Sequence, residues 1–463
     1  MTEFDNIEGI YFLGIGGIGM SALARYFLAG RFSVCGYDRS RTPLTIALEE
    51  EGCNITYEDD LATLPALFDE PVQRDKVMVI YTPAVPKDSV LLNFFTDRGY
   101  SIYKRSEILG FISRGTDTIA VAGTHGKTTV STMTAHLLTA SQVGCSAFLG
   151  GISRNYNTNL LLGKSQFTVM EADEFDRSFL TLSPRIAIVT AIDPDHLDIY
   201  GTPEAMVGAY SEFCHKVHRG GTLITEENIT ASLSLPADVT LYTYGFGEKA
   251  SFRAENIEKG DGFYTFDIIT PGEKISNIRL LLPGQVNILN ATAAAAVAIL
   301  SGVTPAEIRN GLFLYQGVQR RFDVRYASED LIYMDDYAHH PGEINALVSA
   351  VRDFYPGRPI TGIFQPHLYT RTRDFAEEFA EALDRLDEVL LLTLYPAREK
   401  PIEGVSSDMI AAMMKNRNVR VVTRDELLPA ADKTLKGILL TIGAGDIDRF
   451  VEPIIQMLKK RKG

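Results

Sequence analysis

Residues 117–140, DTIAVAGTHGKTTVSTMTAHLLTA, contain a short apolar run, a glycine turn and a threonine-rich segment in that order. This pattern predicts a buried strand over Thr118–Ala122, a loop, and a helix from Lys127 to about Ala140. Glycines let backbone N–H groups approach a phosphate, and the N-terminus of the following helix favours negative charge. We therefore predict a phosphate-binding loop within an α/β fold.

The loop at residues 123–129, GTHGKTT, keeps the G-x-x-G-K-T core of a nucleotide-binding loop, although Val121 stands at the first glycine position of the longer form. Lysine in this motif reaches the outer phosphates, and the hydroxyl that follows can ligate Mg²⁺. A glycine turn capped by threonine, with Lys127 in solvent, is the alternative. The residues predicted to contact a nucleoside triphosphate are Gly123, Thr124, His125, Gly126, Lys127, Thr128 and Thr129.

A second glycine loop lies near the N-terminus, between a predicted strand at Ile7–Leu13 and a predicted helix at Gly19–Ala29. It matches G-x-G-x-x-G, whose glycines let the backbone approach a diphosphate. Asp38 follows the next predicted strand, Ser33–Tyr37, where a carboxylate could accept from a ribose hydroxyl. The pattern predicts a diphosphate-bearing nucleotide, and a tight turn without a ligand is the alternative. The loop glycines are Gly14, Gly16, Gly17 and Gly19.

Two acidic segments, MEADEFDRSF and AIDPDHLD, lie at the ends of predicted strands Thr168–Glu171 and Ile186–Ala191. The carboxyl ends of parallel strands face the ligand crevice of an open sheet. A carboxylate there can hold Mg²⁺ near the phosphates, and a neutral imidazole can hold a second ion. We single out Glu171 and His196, because each lies where a short loop leaves a buried strand. Solvation of the loops or helix capping is the simpler interpretation of most other acidic residues.

Histidine and arginine cluster in the last third, in DDYAHHP at residues 335–341 and FQPHLYTRTR at residues 364–373. Both segments follow predicted strands, Ile332–Asp335 and Ile360–Phe364, so they can share one edge of a sheet. Such a cluster can neutralise a carboxylate or a phosphate, and arginine can bind it with two hydrogen bonds. Histidines with purely structural hydrogen bonds are the alternative. Arg320 and Arg321 begin this third of the chain.

The alternation of strands and helices restarts near Asp117 and near Gly317, which predicts three domains in 463 residues. We expect an α/β protein with a Rossmann-like N-terminal domain at 1–108 and a P-loop ATPase-like central domain at 109–318. A small antiparallel β patch is predicted at about 240–282, followed by a helix from Asn290. A Rossmann-like C-terminal domain at 319–463 completes the prediction.

The formal net charge of −14 argues against sequence-independent binding of nucleic acid, which requires a basic face. Four widely spaced cysteines argue for free thiols in a reducing compartment rather than a zinc or disulfide framework. The sequence has no signal-peptide pattern and no apolar stretch long enough to span a membrane. We therefore expect a cytoplasmic protein without membrane insertion, and the oligomeric state stays open.

Taken together and in this order, the motifs resemble those of the Mur ligase family over nearly the whole chain. The resemblance implies one domain for a UDP-sugar, one for ATP and one for the incoming amino acid. It implies that ATP phosphorylates the lactyl carboxylate of UDP-N-acetylmuramate and that the amine of L-alanine attacks the acyl phosphate, with Mg²⁺ as cofactor. The motifs that carry the resemblance are LGIGGIGMSALA (13–24), TPAVP (82–86), GTHGKTT (123–129), EADEFDRSFL (171–180), DPDHLD (193–198), DYAHHPGEI (336–344), FQPHLYTRT (364–372), YPAREKPIEG (395–404) and GAGDI (443–447).

The resemblance also implies roles for individual residues. The catalytic residues are Lys127, Glu171, His196, His339 and Arg371. The metal ligands are Thr128, Glu171 and His196. ATP is bound by residues 123–129 together with Asn287, Asn290 and Arg320. The UDP-sugar is bound by Gly14, Gly16, Gly17, Gly19, Asp38 and Thr82. The amino acid is bound by His340, His367, Arg371 and Arg373. Capping of the alanine-rich helix is the alternative role of Asn290.

Three positions depart from the family pattern. Val286 stands where the family usually has histidine, Phe175 where serine is usual, and Leu368 where arginine is frequent. The first departure bears on the adenine site, whereas the other two leave the neighbouring motif residues in place.

Three other functions fit part of the pattern. An NAD-dependent dehydrogenase would use the first glycine loop and Asp38, but it leaves GTHGKTT and the HHP segment unexplained. A regulatory ATP-binding protein would use only the second loop. A sister ligase that adds a recycled peptide to the same sugar nucleotide is closer, but DYAHHP and FQPHLYTRT resemble the alanine-adding branch better.

Overall fold

Three mainly parallel β-sheets with flanking helices make up the chain, which confirms the predicted α/β class. The computed structural model describes residue 4 and residues 6–69, 71–194, 197–260, 262–397 and 399–461. One sheet lies in each of the three predicted domains, and the predicted boundaries at 108 and 318 fall between sheets. These boundaries remain predictions.

The first sheet has five parallel strands in the order β3-β2-β1-β4-β5. The chain moves outward from β1 first to one side and then to the other, so the glycine loop after β1 lies where the strand order reverses. Ligands bind at such positions in open α/β sheets. The strands are β1 (Gly9–Leu13), β2 (Ser33–Tyr37), β3 (Asn54–Thr56), β4 (Val77–Tyr81) and β5 (Ser101–Lys104), and the helices are α1 (Ile18–Ala29), α2 (Pro43–Glu51), α3 (Ala66–Asp69), α4 (Val90–Asp97) and α5 (Arg105–Arg114).

The second sheet has ten strands in the order β15-β14-β13-β12-β11-β10-β6-β9-β7-β8. The phosphate loop follows β6, so the ends of β9 and β10 flank it on either side. The strands are β6 (Asp117–Ala122), β7 (Ser146–Phe148), β8 (Leu160–Leu161), β9 (Phe167–Glu171), β10 (Ile186–Val189), β11 (Thr222–Glu226), β12 (Thr240–Gly245), β13 (Phe252–Gly260), β14 (Phe263–Ile269) and β15 (Lys274–Leu280). The helices are α6 (Lys127–Thr139), α7 (Leu197–Tyr200), α8 (Pro203–Cys214), α9 (Gln285–Leu300) and α10 (Pro305–Leu314).

The third sheet has six strands in the order β16-β17-β21-β18-β19-β20, with only the edge strand β16 antiparallel to its neighbour. The loops after β17, β21 and β18 therefore leave the same edge side by side. The strands are β16 (Asp323–Ala327), β17 (Leu331–Asp336), β18 (Ile360–Phe364), β19 (Glu388–Leu392), β20 (Val419–Val422) and β21 (Gly437–Ile442). The helices are α11 (Pro341–Phe354), α12 (Tyr369–Asp374), α13 (Ala376–Leu383), α14 (Ser407–Met413), α15 (Arg424–Ala431) and α16 (Val451–Lys460).

Inter-residue contacts divide the chain into two compact units. The first unit comprises Met1–Asn256, Phe266–Ile278 and Ile288–Tyr315. The second unit comprises Ile257–Thr265, Arg279–Asn287 and Gln316–Gly463. The glycine loops and the acidic segments lie in the first unit, and the histidine–arginine cluster lies in the second.

The predicted β patch at 240–282 is wrong in its extent. β12 pairs in parallel with both of its neighbours, so it belongs to the main sheet, and β13 to β15 continue that sheet. These last three strands follow one another through short turns, which only antiparallel neighbours can do. β15 ends at Leu280, two residues before the predicted end of the patch, and Leu281 beyond it is exposed.

The helix predicted from Asn290 begins five residues earlier, at Gln285. Gly284 at φ 87° makes the turn into this helix, and the N–H of Asn287 donates to its carbonyl at 2.9 Å. The first turn of α9, with exposed Gln285 and Val286, precedes the alanine run by which the helix was predicted. Asn290 consequently lies inside the helix and does not cap it.

None of the helices in the described parts of the chain combines the length and apolar character needed to cross a membrane.

Leu440 tests how far the third sheet depends on its core. This side chain in β21 has no exposed surface, so Leu440→Ala should lower the free energy of unfolding by about 2–5 kcal/mol by losing apolar contacts and leaving a cavity. Chemical denaturation followed by circular dichroism measures this change. Leu435→Ala, at a leucine that is 71% exposed, is the matched control. Equal stability of the two variants would contradict the expected core role.

Candidate functional site

The phosphate loop between β6 and α6 needs glycine at two positions. Gly123 and Gly126 have φ of 135° and 81°, a backbone region that side-chain-bearing residues rarely adopt. A Cβ at Gly123 would come within 2.8 Å of the Ala191 backbone nitrogen, and one at Gly126 within 2.8 Å of the Asn290 side-chain oxygen. The loop therefore packs against the end of β10 and against α9 at distances that only glycine allows.

Lys127, the first residue of α6, points back across its own loop. Its Nζ donates to the Gly123 carbonyl at 2.6 Å and to Glu174 Oε1 at 2.8 Å. The Glu174 side chain is only 2% exposed and that of Lys127 is 15% exposed. Burial raises the pKa of Glu174, and the nearby ammonium of Lys127 opposes that rise. Glu174 was not predicted as a site residue, because nothing in the sequence distinguishes it from the other acidic residues of this segment.

Thr128 and Glu171 meet as the motifs predict. The Thr128 hydroxyl donates to Glu171 Oε1 at 3.1 Å, while the N–H of Gly150 donates to Glu171 Oε2 at 3.2 Å. A hydroxyl beside a carboxylate is a hard oxygen donor set of the kind that Mg²⁺ prefers. Among the residues that the structure describes, no group of three His, Cys, Asp or Glu side chains could hold a metal alone. His196, the third predicted ligand, lies outside the described residues.

Residues after β10 hold the loop through hydrogen bonds between side chains and backbone that the sequence did not reveal. The Thr190 hydroxyl donates to the carbonyl of His125, and the N–H of Asp193 donates to the Thr124 hydroxyl at 3.1 Å. His125 Nε2 and the Asp193 carboxylate are 3.8 Å apart on the surface. The strand predicted at Ile186–Ala191 included Thr190, but β10 ends at Val189, so the Thr190 hydroxyl was not expected at the loop.

The N-terminal glycine loop is closed by its own acidic residue. Asp38 Oδ2 accepts from the Gly16 N–H at 2.8 Å, and a Cβ at Gly14 would approach the Thr82 methyl to 2.7 Å. The structure thus brings together Gly14, Gly16, Asp38 and Thr82, as the sequence predicts. Asp38 orients the loop here, while its predicted contact with a ribose remains a prediction.

A cleft of about 670 Å³, including its open mouth, lies in the first unit between α1 and the acidic segment after β9. Arg105 lies against Gly19, and its Nη2 donates to Asp173 Oδ2 at 2.8 Å. Glu171, which also accepts from Thr128, lines the same cleft. Neither Arg105 nor Asp173 was among the predicted site residues. Other lining residues are Ile18, Ala22, Leu109, Phe148, Gly150 and Phe179.

The two asparagines predicted at the adenine occupy different surroundings. Asn290 lies beside Gly126 of the phosphate loop, within the first unit. Asn287 belongs to the second unit, and its side-chain amide donates to the Pro283 carbonyl at 2.6 Å. Both assignments to ATP remain predictions.

In the second unit, His339 lies in the loop after β17, His367 lies in the loop after β18, and Arg371 lies in α12. The Nδ1–H of His339 donates to the Tyr337 carbonyl at 3.0 Å, which leaves Nε2 as an acceptor in the neutral ring. The His367 ring stacks on Tyr395 with centroids 5.8 Å apart, and it lies 6.3 Å from the His339 ring. Among the described residues, Arg371 Nη1 is buried and has no hydrogen-bond partner.

His340 and Arg373, the other predicted amino-acid ligands, make local contacts. His340 caps α11, accepting from the Gly342 N–H at 3.4 Å, and its ring lies against Phe375. Arg373 is 51% exposed and pairs with Asp374 at 2.7 Å. Their predicted roles remain untested.

Arg320 is held in the second unit by a buried acid and a carbonyl. Its Nε donates to Asp335 Oδ2 at 3.3 Å, and its Nη2 donates to the Gly443 carbonyl. Burial raises the pKa of Asp335, and it raises the pKa of Asp336 to about 6. The predicted contact of Arg320 with ATP remains a prediction.

Three family models match the chain in succession. They are the Mur ligase family catalytic domain at residues 9–116, the Mur ligase middle domain at residues 121–298, and the Mur ligase glutamate ligase domain at residues 320–445.

Individual relatives match over nearly their full length. The UDP-N-acetylmuramate–L-alanine ligase of Cytophaga hutchinsonii is 46% identical over 462 residues, covering 99% of this chain and 98% of that protein. The crystal structure of the UDP-N-acetylmuramate–alanine ligase of Thermotoga maritima superposes with a TM-score of 0.81 at 27% identity, covering 98% of this chain and 99% of the other. A murein peptide ligase from Psychrobacter arcticus, at 20% identity and a TM-score of 0.67, covers 97% of this chain and 98% of the other and shares the fold.

The His339 ring should stay neutral at pH 7. Burial lowers its pKa, the Glu343 carboxylate opposes this, and the Arg371 cation lowers the pKa further. An NMR pH titration should therefore give a midpoint below the ordinary histidine value near 6.5. Arg371→Gln should move the midpoint upward, because a nearby positive charge is removed. Arg373→Gln, at the surface ion pair, is the control, and equal midpoints in both variants would contradict the predicted proximity.

Proposed function

Because the chain belongs to the Mur ligase family, we propose that it joins L-alanine to the lactyl carboxylate of UDP-N-acetylmuramate, converting ATP to ADP and phosphate. The product, UDP-N-acetylmuramoyl-L-alanine, is a precursor of peptidoglycan. The chain is thus an ATP-dependent carboxylate–amine ligase. Full-length similarity at 46% identity to ligases of this specificity supports the choice of substrates.

The position of Glu171 is the observation that best supports the proposed reaction. Its carboxylate accepts from Thr128 at the phosphate loop, and it also lines the cleft beside the N-terminal glycine loop. A nucleotide held by the loop and a sugar nucleotide held in the cleft would therefore meet at this side chain. Transfer of a phosphoryl group between two anions needs alignment and neutralised charge more than a nucleophilic side chain.

The residues around Glu171 have different roles in the first step, the phosphorylation of the lactyl carboxylate. The loop N–H groups and Lys127 hold the triphosphate, and the cleft aligns the lactyl carboxylate so that its oxygen attacks the γ-phosphorus. Thr128 and Glu171, with His196 as the third predicted ligand, would hold Mg²⁺. When bound, this ion neutralises charge that develops on the phosphoryl oxygens. The products of this step are ADP and an acyl phosphate, which makes an unreactive acid susceptible to an amine.

The second unit supplies the groups for the amine. Arg371 Nη1 is buried and has no hydrogen-bond partner within the part of the chain that the structure describes, which is costly unless an anion binds it. The carboxylate of L-alanine or the acyl phosphate would satisfy it. The neutral ring of His339 keeps an acceptor nitrogen beside it, which can take a hydrogen bond from the attacking amine. His367 and Tyr395 form the stacked wall of this cluster.

The proposed division of labour follows the predicted domains. Residues 1–108 bind the UDP-sugar, residues 109–318 bind ATP, and residues 319–463 bind the amino acid. The cytoplasmic location expected from the sequence accords with these substrates. For a dehydrogenase, the glycine loop and Asp38 would have to act alone, leaving the Lys127 and Glu171 sites without a role.

Lys127→Ala should reduce ligation by about 10²–10³-fold, because one charged donor to the transferred phosphoryl group is lost. A coupled phosphate-release assay measures the rate, and thermal unfolding checks that the fold is retained. Lys216→Ala removes a lysine of the first unit whose side chain pairs with Glu212 at the surface, and it should leave the rate unchanged. Near-normal phosphate release by Lys127→Ala would remove the assignment of the loop.

The acceptor distinguishes the alanine-adding ligase from its peptide-adding sister. Phosphate release should require UDP-N-acetylmuramate, ATP and L-alanine together, so omission of any one should abolish it. A tripeptide in place of L-alanine should give no product, and mass spectrometry of the sugar nucleotide identifies the bond formed. Ligation of the tripeptide but not of L-alanine would favour the sister activity. Phosphate release without any UDP-N-acetylmuramate would favour a regulatory ATPase.

A further inference from the structure

The ammonium of Lys127 is fully engaged before any nucleotide arrives. It has three N–H bonds, and the acceptors around it are the carbonyls of Gly123 at 2.6 Å and Thr124 at 3.5 Å and the Glu174 carboxylate at 2.8 Å. Two of these acceptors belong to the phosphate loop and move with Lys127. Glu174 comes from a segment 47 residues away. It is therefore the acceptor that a ligand can replace without unfolding the loop.

Glu174 is held firmly in place for this contact. Its carbonyl accepts from the Tyr200 hydroxyl at 2.6 Å and from the Arg177 N–H at 3.0 Å. Asp176 and Arg177, just beyond it, both adopt φ of 54°, so the chain turns sharply after the glutamate. The carboxylate is almost completely enclosed. This burial argues against a purely solvating role for Glu174, because an acidic residue that only solvates a loop is exposed.

We propose that Glu174 is a latch on the phosphate loop: it holds Lys127 in the unliganded protein, and the phosphates of the nucleotide displace it. The latch rests on the proposed binding of ATP at this loop. A phosphoryl oxygen and the Glu174 carboxylate are both anions that need the same ammonium, so they compete for it. Once displaced, the carboxylate loses its counter-charge in an enclosed site, which costs free energy. Glu174 therefore weakens the binding of ATP and ADP and assists the departure of ADP.

Glu174 is a positioning residue, because it acts through Lys127 and touches no reacting atom. Its replacement should change nucleotide affinity in a direction opposite to that of an ordinary binding residue. Glu174→Gln keeps the shape of the side chain but removes the charge that competes with the phosphates. In the nucleotide-bound protein this substitution removes no favourable contact, because Glu174 is already displaced. In the unliganded protein it removes the ion pair between Glu174 and Lys127.

Equilibrium binding of ATP, ADP and adenosine, measured by calorimetry, tests the latch. Glu174→Gln should bind ATP and ADP about tenfold more tightly than the unmodified chain, and adenosine, which has no phosphate, with unchanged affinity. Asp176→Asn is the matched control: it removes the same charge from the same segment, but Asp176 pairs with Lys104 at 2.7 Å and not with the loop. Its affinity for ATP should stay within twofold of that of the unmodified chain.

A second set of variants tests whether Glu174 affects ATP binding by way of Lys127. In a chain carrying Lys127→Ala, adding Glu174→Gln should no longer tighten ATP binding. Should Glu174→Gln not fold, Glu174→Asp retains the charge but draws the carboxylate back by one methylene, and it should shift the affinity in the same direction by a smaller factor.

Three results would overturn the latch: unchanged ATP affinity in Glu174→Gln, weaker ATP affinity in it, or tightening that persists without Lys127. Failure of the unmodified chain to bind ATP would instead count against the proposed function. The two failures are thus distinguishable in one set of titrations.

Discussion

The close approach of the strand ends to the phosphate loop is the constraint on which the first unit depends. The absence of side chains at Gly123 and Gly126 lets the residues after β10 and the amide of Asn290 pack directly against the loop. The loop is then held by hydrogen bonds from its neighbours, including one from the Thr190 hydroxyl to the His125 carbonyl and one from the Thr124 N–H to the Ala191 carbonyl. A loop fixed in this way presents its N–H groups without reorganisation when a phosphate arrives. The ends of the flanking strands supply the charged groups.

Much of this arrangement could be predicted from the sequence, since it follows from local patterns. Short apolar runs located β2 and β18 at their observed bounds. Because strand ends in a parallel sheet converge, the meeting of Thr128 with Glu171 and of Gly14 with Thr82 could also be predicted. The identity of the family followed from the order of the motifs rather than from any single one.

The rest could not be predicted, because it depends on tertiary packing. Glu174 and the neighbouring acidic residues look alike in the sequence, and only tertiary packing buries Glu174 while it leaves others exposed. Arg105 carries no motif, yet α5 places it against Gly19 and Asp173. The left-handed backbone of Asn277 inside β15 could not be read from the residue alternation. The parallel pairing of β12 likewise depends on which strands lie beside it, and residue alternation does not contain that information.

Glu171 belongs to two environments at once, since it touches the phosphate loop and lines the cleft. A mutation at this position would disturb both partners together, so selection could not adjust one without impairing the other. Changes in the preferred sugar nucleotide should therefore arise at other residues that line the cleft, such as Leu109 and Phe148. Divergence among such enzymes should accordingly accumulate around the acid while the acid itself stays fixed.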